Sequence, residues 1–145
     1  MLLKSIVQRE FKFLLFVFLT IFSLNGCKSD AQVNFYDKSL KNNKLNCLSF
    51  TPQNNTKLEQ KLKSLYKFDP NCPNRLELSY KSNIVCNSSY NAPQKATSTF
   101  PNAYLKLEVK KGFNLEYSYY IDLTSKPTTS DIEDAFNRLK KDILK

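Results

Sequence analysis

Alternating apolar and polar side chains predict three β-strands in the second half of this chain. The alternating runs are residues 75–82, 104–110 and 113–123, and Gly112 lies between the last two. Two alternating runs around a glycine are typical of a β-hairpin, because glycine readily adopts the positive φ angle that tight turns need. A shorter apolar run at residues 45–50 predicts a weak strand earlier in the chain.

The parity of the predicted hairpin assigns its tyrosines to two faces of the sheet. Tyr117 and Tyr119 share their parity with the aliphatic residues of the same run, so we expect them in the core. Tyr104 and Tyr120 have the opposite parity, and we expect them on the open face.

Two amphipathic helices are predicted where apolar residues recur every three to four positions. The first follows residue 56 and ends before Pro70, because the residue preceding a proline disfavours helical geometry. Thr56 and Glu59 have the spacing of a capping box, and Ser130 and Glu133 repeat that spacing before the second helix. The apolar stripes are Leu58, Leu62, Leu65 and Tyr66 in the first helix, and Ile132, Ala135, Phe136, Leu139 and Ile143 in the second.

The order of these elements predicts a single α+β domain over residues 45–145, with a mainly antiparallel sheet of three to five strands and two helices on one face. The opposite face is expected to be partly open, and an open sheet face or edge is a place where partners bind. Residues 75–86 fit either one strand or a hairpin, and residues 87–102 fit an exposed loop. Residues 27–44 are mostly polar and are predicted to be a tether.

Composition restricts the chemistry that the chain can perform. It contains no histidine, no tryptophan and two glycines. Histidine-dependent nucleophiles, imidazole metal sites and glycine-rich phosphate loops are therefore excluded. We expect a protein that is not an enzyme and has no metal or cofactor. Catalysis by Glu108 and Glu116 is a weaker alternative, since neighbouring lysines favour surface ion pairs.

The N-terminal segment ends its apolar run in a cysteine. Residues 1–12 carry three basic residues and one acid, and residues 13–24 are apolar but shorter than the roughly 20 residues that span a bilayer. The sequence Leu24-Asn25-Gly26-Cys27 follows. This segment resembles a bacterial lipoprotein signal peptide, which is cut just before an acylated cysteine. The resemblance implies removal of residues 1–26 and lipidation of Cys27. Because Lys28 rather than aspartate follows, it also implies the outer membrane, with the domain facing the periplasm.

Three cysteines remain once Cys27 is assigned to lipid, and an extracytoplasmic compartment permits disulfides. Three pairings are possible. Cys47 lies on the weak strand before the first helix and Cys72 lies just after that helix, so a helix folded back over its strand brings the two together. A Cys72–Cys86 pair would need a hairpin between its members. We predict the Cys47–Cys72 disulfide and leave Cys86 as a buried thiol.

Two classes of partner fit this domain, which is basic and keeps a net charge of +7 of the original +9 after loss of residues 1–26. One is another envelope or secretion-assembly protein, and the other is an anionic envelope polymer or lipid; no nucleic acid is expected. The candidate binding residues are Tyr104, Lys106, Lys110, Tyr120, Arg138 and Lys141. In the order of its elements, the segment 105–143 is similar to the C-terminal modules of the TolA and TonB energy-transducing proteins, which implies an interaction module.

Overall fold

The computed structural model describes residues 30–84 and 101–145. The predicted signal peptide, Cys27, Cys86 and most of the loop predicted over residues 87–102 lie outside these ranges. The elements are β1 (Gln32–Phe35), a 3-10 helix (Lys38–Lys41), α1 (Lys57–Ser64), β2 (Asn74–Lys81), β3 (Ala103–Lys111), β4 (Asn114–Leu123) and α2 (Thr129–Ile143). No helix in the described ranges is long and apolar enough to cross a membrane.

The four strands form one antiparallel sheet in the order β1-β4-β3-β2. Both helices pack on one face of this sheet, where their apolar stripes meet the inward side chains of β3 and β4. The predicted α+β fold is confirmed. The largest side chains that are fully buried in this core include Tyr117, Phe136, Leu62, Leu107 and Ile132.

The β3–β4 hairpin has the predicted turn but not the predicted parity throughout. Gly112 has φ +59°, in the left-handed region that favours glycine. Val109 pairs with Tyr117 and Lys110 pairs with Leu115, so Glu116 is an extra residue that forms a β-bulge. The bulge reverses the alternation beyond it. Phe113, which the alternation would place on the same face as Tyr117, instead lies in the turn between β3 and β4 with a fully exposed side chain.

The segment predicted as a tether is largely part of the domain, and that prediction is wrong for residues 32–41. β1 pairs along β4, from Gln32 opposite Tyr120 to Phe35 opposite Tyr117. Leu40, in the 3-10 helix, is only 3% exposed. These residues are held by contacts with the far end of the chain rather than by any local repeat, which is why a periodicity argument misses them.

Residues 45–50 make isolated bridges instead of the predicted strand. Leu45 bridges Leu144 and Ser49 bridges Arg75, both in parallel orientation. Between these bridges, Cys47 forms a disulfide with Cys72, with their Cα atoms 6.0 Å apart. This is the predicted pairing, and it closes the loop that contains α1.

The helix starts are set by side-chain caps. In α1, Thr56 and Glu59 form the predicted capping box. In α2 the cap is Thr128, with Asp131 as its reciprocal partner, two residues before the predicted Ser130–Glu133 pair. Both pairs have capping-box spacing, and the Thr128 pair is the one formed.

Candidate functional site

The open face of the sheet carries four of the six residues predicted to bind a partner. Tyr104, Lys106 and Lys110 alternate along β3 with its buried side chains, so they point away from the helices. On β4, Tyr120 lies opposite Lys106. We call the surface formed by Tyr104, Lys106, Lys110 and Tyr120 the open face.

Two tyrosines form the aromatic part of the open face. The rings of Tyr104 and Tyr120 stack with their centroids 5.7 Å apart and their planes inclined by 25°. The Tyr120 hydroxyl donates to Asp122 Oδ1 at 2.7 Å. The surroundings of Tyr120 raise its pKa to about 12. Burial is the largest cause, and the hydrogen bond to Asp122 and the negative charge of Asp122 add to it. Tyr120 is therefore a fixed, neutral aromatic group, which is the type of residue enriched at protein interfaces.

The charged groups of the open face form an ion-pair network. Glu77 on β2 lies directly opposite Glu108 on β3, an arrangement that is unfavourable for two like charges alone. Lys110 Nζ lies 2.6 Å from Glu77 and 3.8 Å from Glu108, while Lys106 Nζ lies 2.9 Å from Glu108. Arg75 adds a 2.7 Å contact to Glu77. Each glutamate is therefore compensated by two cations.

This network determines what its members can do chemically. The hydrogen bond from Lys110, assisted by Arg75 and by both positive charges, lowers the pKa of Glu77. The same bond to Glu77 raises the pKa of Lys110. A carboxylate held in its ionised form by paired cations is poorly suited to donate protons near neutral pH. The lysines, in turn, already have anionic partners within the domain.

Arg138 and Lys141 lie on α2, on the opposite side of the sheet from the open face, so the six predicted residues do not form one surface. Arg138 Nε donates to Asp142 Oδ2 at 2.9 Å. Asp142 Oδ2 also accepts from the hydroxyl of the buried Tyr117 at 3.0 Å. Arg138 is thus part of the link that attaches α2 to β4, a tertiary role that the sequence pattern does not reveal.

A cleft of about 420 Å³ opens at the edge of β2. The backbone of Ser49 pairs with Asn74 and Leu76 of that strand, with two hydrogen bonds of 2.8 Å, and the chain then leaves the sheet. The residues that line the cleft are Phe50, Thr51, Gln53, Glu59, Arg75, Leu76, Glu77 and Leu78. Sequence reasoning missed this cleft, because it depends on the parallel contact between Ser49 and β2.

The most buried acid of the cleft has a structural role. Glu59 is 6% exposed and accepts the N–H groups of Gln53 and Thr56, each at 2.8 Å, and of Asn54 at 3.3 Å. Burial opposes ionisation, but these backbone donors outweigh it and lower the pKa of Glu59. Its carboxylate orders the turn before α1 and is not poised as a general base.

No protein-family model, curated protein or solved structure matches this chain.

Proposed function

We propose that this protein is a non-catalytic lipoprotein of the bacterial cell envelope and is anchored through Cys27. The domain binds another envelope protein through its open face. The sequence Leu24-Asn25-Gly26-Cys27, which resembles the end of a lipoprotein signal peptide, supports the anchor. The observation that carries the binding role is the stacked Tyr104–Tyr120 pair on the side of the sheet that the helices leave uncovered. A pair of fixed aromatic rings offers a large contact area at a small cost in conformational entropy.

The ion pairs favour a protein partner over an anionic polymer or lipid at this surface. Lys106 and Lys110 each contact a glutamate at less than 3 Å, so a polyanion would have to compete with these contacts. A protein surface with alternating charges can complement the pattern without breaking it. Binding through the open face should accordingly depend on the tyrosine rings more than on ionic strength.

A catalytic role is less well supported. Glu77 and Glu108 are paired with cations, and the carboxylate of Glu59 is engaged by backbone donors. These contacts lower the pKa of Glu77 and of Glu59, whereas a carboxylic acid that protonates a substrate needs a raised pKa. Burial does raise the pKa of Glu116, but Glu116 lies in the β-bulge while Glu108 pairs with Ser118, so the two acids do not face each other as a carboxylate pair.

An interaction module of the TolA or TonB type is the second candidate. The order β3, glycine turn, β4 and α2 is the observation that favours it. Such a module would use the same sheet for protein binding, so the two candidates differ in the partner rather than in the chemistry.

Site-specific photo-crosslinking in cells tests the open face. A photoreactive amino acid at Gln32 leaves both tyrosines intact, because Gln32 is exposed on β1 directly opposite Tyr120. We expect a crosslinked envelope protein from Gln32, and none from the matched exposed position Asn137 on α2. Tyr104→Ala and Tyr120→Ala should abolish the product, and Tyr120→Phe should retain it. Equal crosslinking from Gln32 and Asn137 would refute the assignment.

A further inference from the structure

The far tip of the β3–β4 hairpin has an exposed aromatic surface. Phe113 in the turn is 104% exposed and Tyr36 is 58% exposed, and these are the large hydrophobic side chains found exposed within the described ranges. They lie at the same end of the sheet, because the N–H of Tyr36 donates to the carbonyl of Glu116 at 2.9 Å and Phe113 is three residues before Glu116. Phenylalanine has no polar group, so water is an unfavourable environment for this side chain.

Three lysines are close in the chain to these two aromatic residues, and one of them, Lys41, holds its Nζ 5.2 Å from the centroid of the Phe35 ring. Lys111 ends β3 just before the turn, and Lys38 and Lys41 lie in the 3-10 helix that follows Tyr36; all three are exposed. Two acids lie at the same end: Asp37, whose carboxylate accepts the N–H of Ser39 at 2.8 Å, and the partly buried Glu116, and the charge of Lys111 acts on both. We call the surface formed by Tyr36, Lys38, Lys41, Lys111 and Phe113 the basic tip.

Neighbouring elements extend the positive charge. Lys44 Nζ donates to the carbonyl of Lys141 at 2.8 Å, which places the last turn of α2 beside the segment that follows the 3-10 helix. That last turn contains Lys140 and Lys141. The basic tip is therefore at the edge of a wider cationic region.

We propose that the basic tip contacts the surface of an anionic phospholipid bilayer. Aromatic side chains insert at the level of the lipid headgroups, and lysines beside them interact with the negative surface potential of anionic lipids. A soluble polyanion would engage the lysines but would leave the exposed Phe113 ring in water. The combination of an exposed aromatic ring and neighbouring lysines therefore favours a bilayer over a polymer.

The segment between Cys27 and β1 is short, which bears on whether this contact is compatible with the anchor. This part of the inference rests on the proposed lipidation of Cys27. Five residue steps separate Cys27 from Gln32, which span at most about 17 Å when extended. The strand from Gln32 to Tyr36 is about 13 Å long. Phe113 lies further along the strands, roughly 20 Å from the level of Gln32, so an acylated Cys27 and the basic tip reach the same membrane when the strands are inclined to the bilayer. Two points of contact would restrict the orientation of the domain.

A tryptophan reporter tests the contact directly, since the natural chain has no tryptophan. The protein to use is the unlipidated chain beginning at Lys28, because every described element lies between Gln32 and Ile143. Phe113→Trp places a single reporter at the tip, and Ser125→Trp places the matched reporter in the exposed turn after β4, at the other end of the sheet. Vesicles of phosphatidylglycerol with phosphatidylethanolamine are the anionic surface, and phosphatidylcholine vesicles are the neutral control.

We expect blue-shifted emission and quenching by brominated lipid for Phe113→Trp with anionic vesicles, and neither effect for Ser125→Trp. In sedimentation, Phe113→Ser should lower vesicle partitioning about tenfold, the order expected for partial loss of a buried aromatic ring. Lys38→Gln with Lys111→Gln should weaken binding more than the matched pair Lys63→Gln with Lys126→Gln. Unchanged emission at position 113, or equal effects of the two lysine pairs, would overturn the proposal.

The outcomes separate this inference from the proposed function. The vesicle experiment uses protein without a lipid anchor, so its failure would leave lipidation and the open face untouched. Conversely, loss of the Gln32 crosslink would not change vesicle binding by the basic tip.

Discussion

The link between α2 and the sheet gives the sharpest stability prediction. Tyr117→Phe removes the hydroxyl that donates to Asp142 at 3.0 Å and keeps the ring, which packs edge-to-face against Phe35 at 5.3 Å. A hydrogen bond to a charged acceptor contributes about 1.5–3 kcal/mol. Asp142 retains Arg138 and some contact with water, its side chain being 13% exposed, so we expect a loss of about 1–2 kcal/mol in unfolding free energy.

Tyr119→Phe is the matched control, because Tyr119 is also buried on β4, and its pKa is raised by burial and nearby charges, whereas a hydrogen bond to Asp142 adds to these effects at Tyr117. We expect this control to change the unfolding free energy by less than about 0.5 kcal/mol. Urea unfolding followed by circular dichroism measures both variants. Equal losses for the two would show that the hydroxyl of Tyr117 contributes nothing specific.

The pH dependence provides a second readout of the same link. Burial, the charge of Asp142 and the hydrogen bond to it raise the pKa of Tyr117 above its ordinary value of 10. A pKa that is higher in the folded protein than in the unfolded chain makes a contribution that is fully present below pH 10 and is lost as pH rises further. Tyr117→Phe should therefore reduce the alkaline decline in stability.

Three further perturbations test other parts of the fold. Replacing both Cys47 and Cys72 by alanine should cost about 3 kcal/mol in a urea titration, as expected for a loop of that length; no loss would argue against this pairing. Leu40→Ala should cost about 2–4 kcal/mol because Leu40 is buried, whereas a residue in a free tether would cost nothing. Glu59→Ala should cost about 1 kcal/mol at neutral pH through loss of the cap. The lowered pKa of Glu59 also predicts that its contribution is present above pH 4.5 and declines as pH falls below that value, so an unchanged acid profile in this variant would contradict the assignment.

The features predicted correctly from the sequence are those that depend on local repeats. The alternation around Gly112 predicts β3 and β4, and the spacing of Thr56 and Glu59 predicts the start of α1. Parity also assigns Tyr104 and Tyr120 to the open face. The strands and the faces of their side chains follow from the two-residue period of a strand. The start of α1 follows from a cap whose two residues lie within four positions of each other.

The features that sequence reasoning missed depend on contacts between distant segments. β1 has only Val33 and Phe35 as apolar residues and needs β4 as its partner. The bulge at Glu116, which places Leu115 opposite Lys110, arises from how β4 pairs with β3 and not from the alternation itself. Arg138 and Asp142 have i,i+4 spacing within α2, so their pairing could have been anticipated, but the hydrogen bond from Tyr117 to Asp142 is evident only once α2 lies on the sheet.

The intact mass of the protein extracted from membranes tests the central claim that this domain acts as an envelope lipoprotein. We expect a chain that begins at Cys27 and carries acyl mass, and we expect a Cys27→Ser variant to lack that mass. A chain that begins elsewhere and carries no acyl mass would contradict the account.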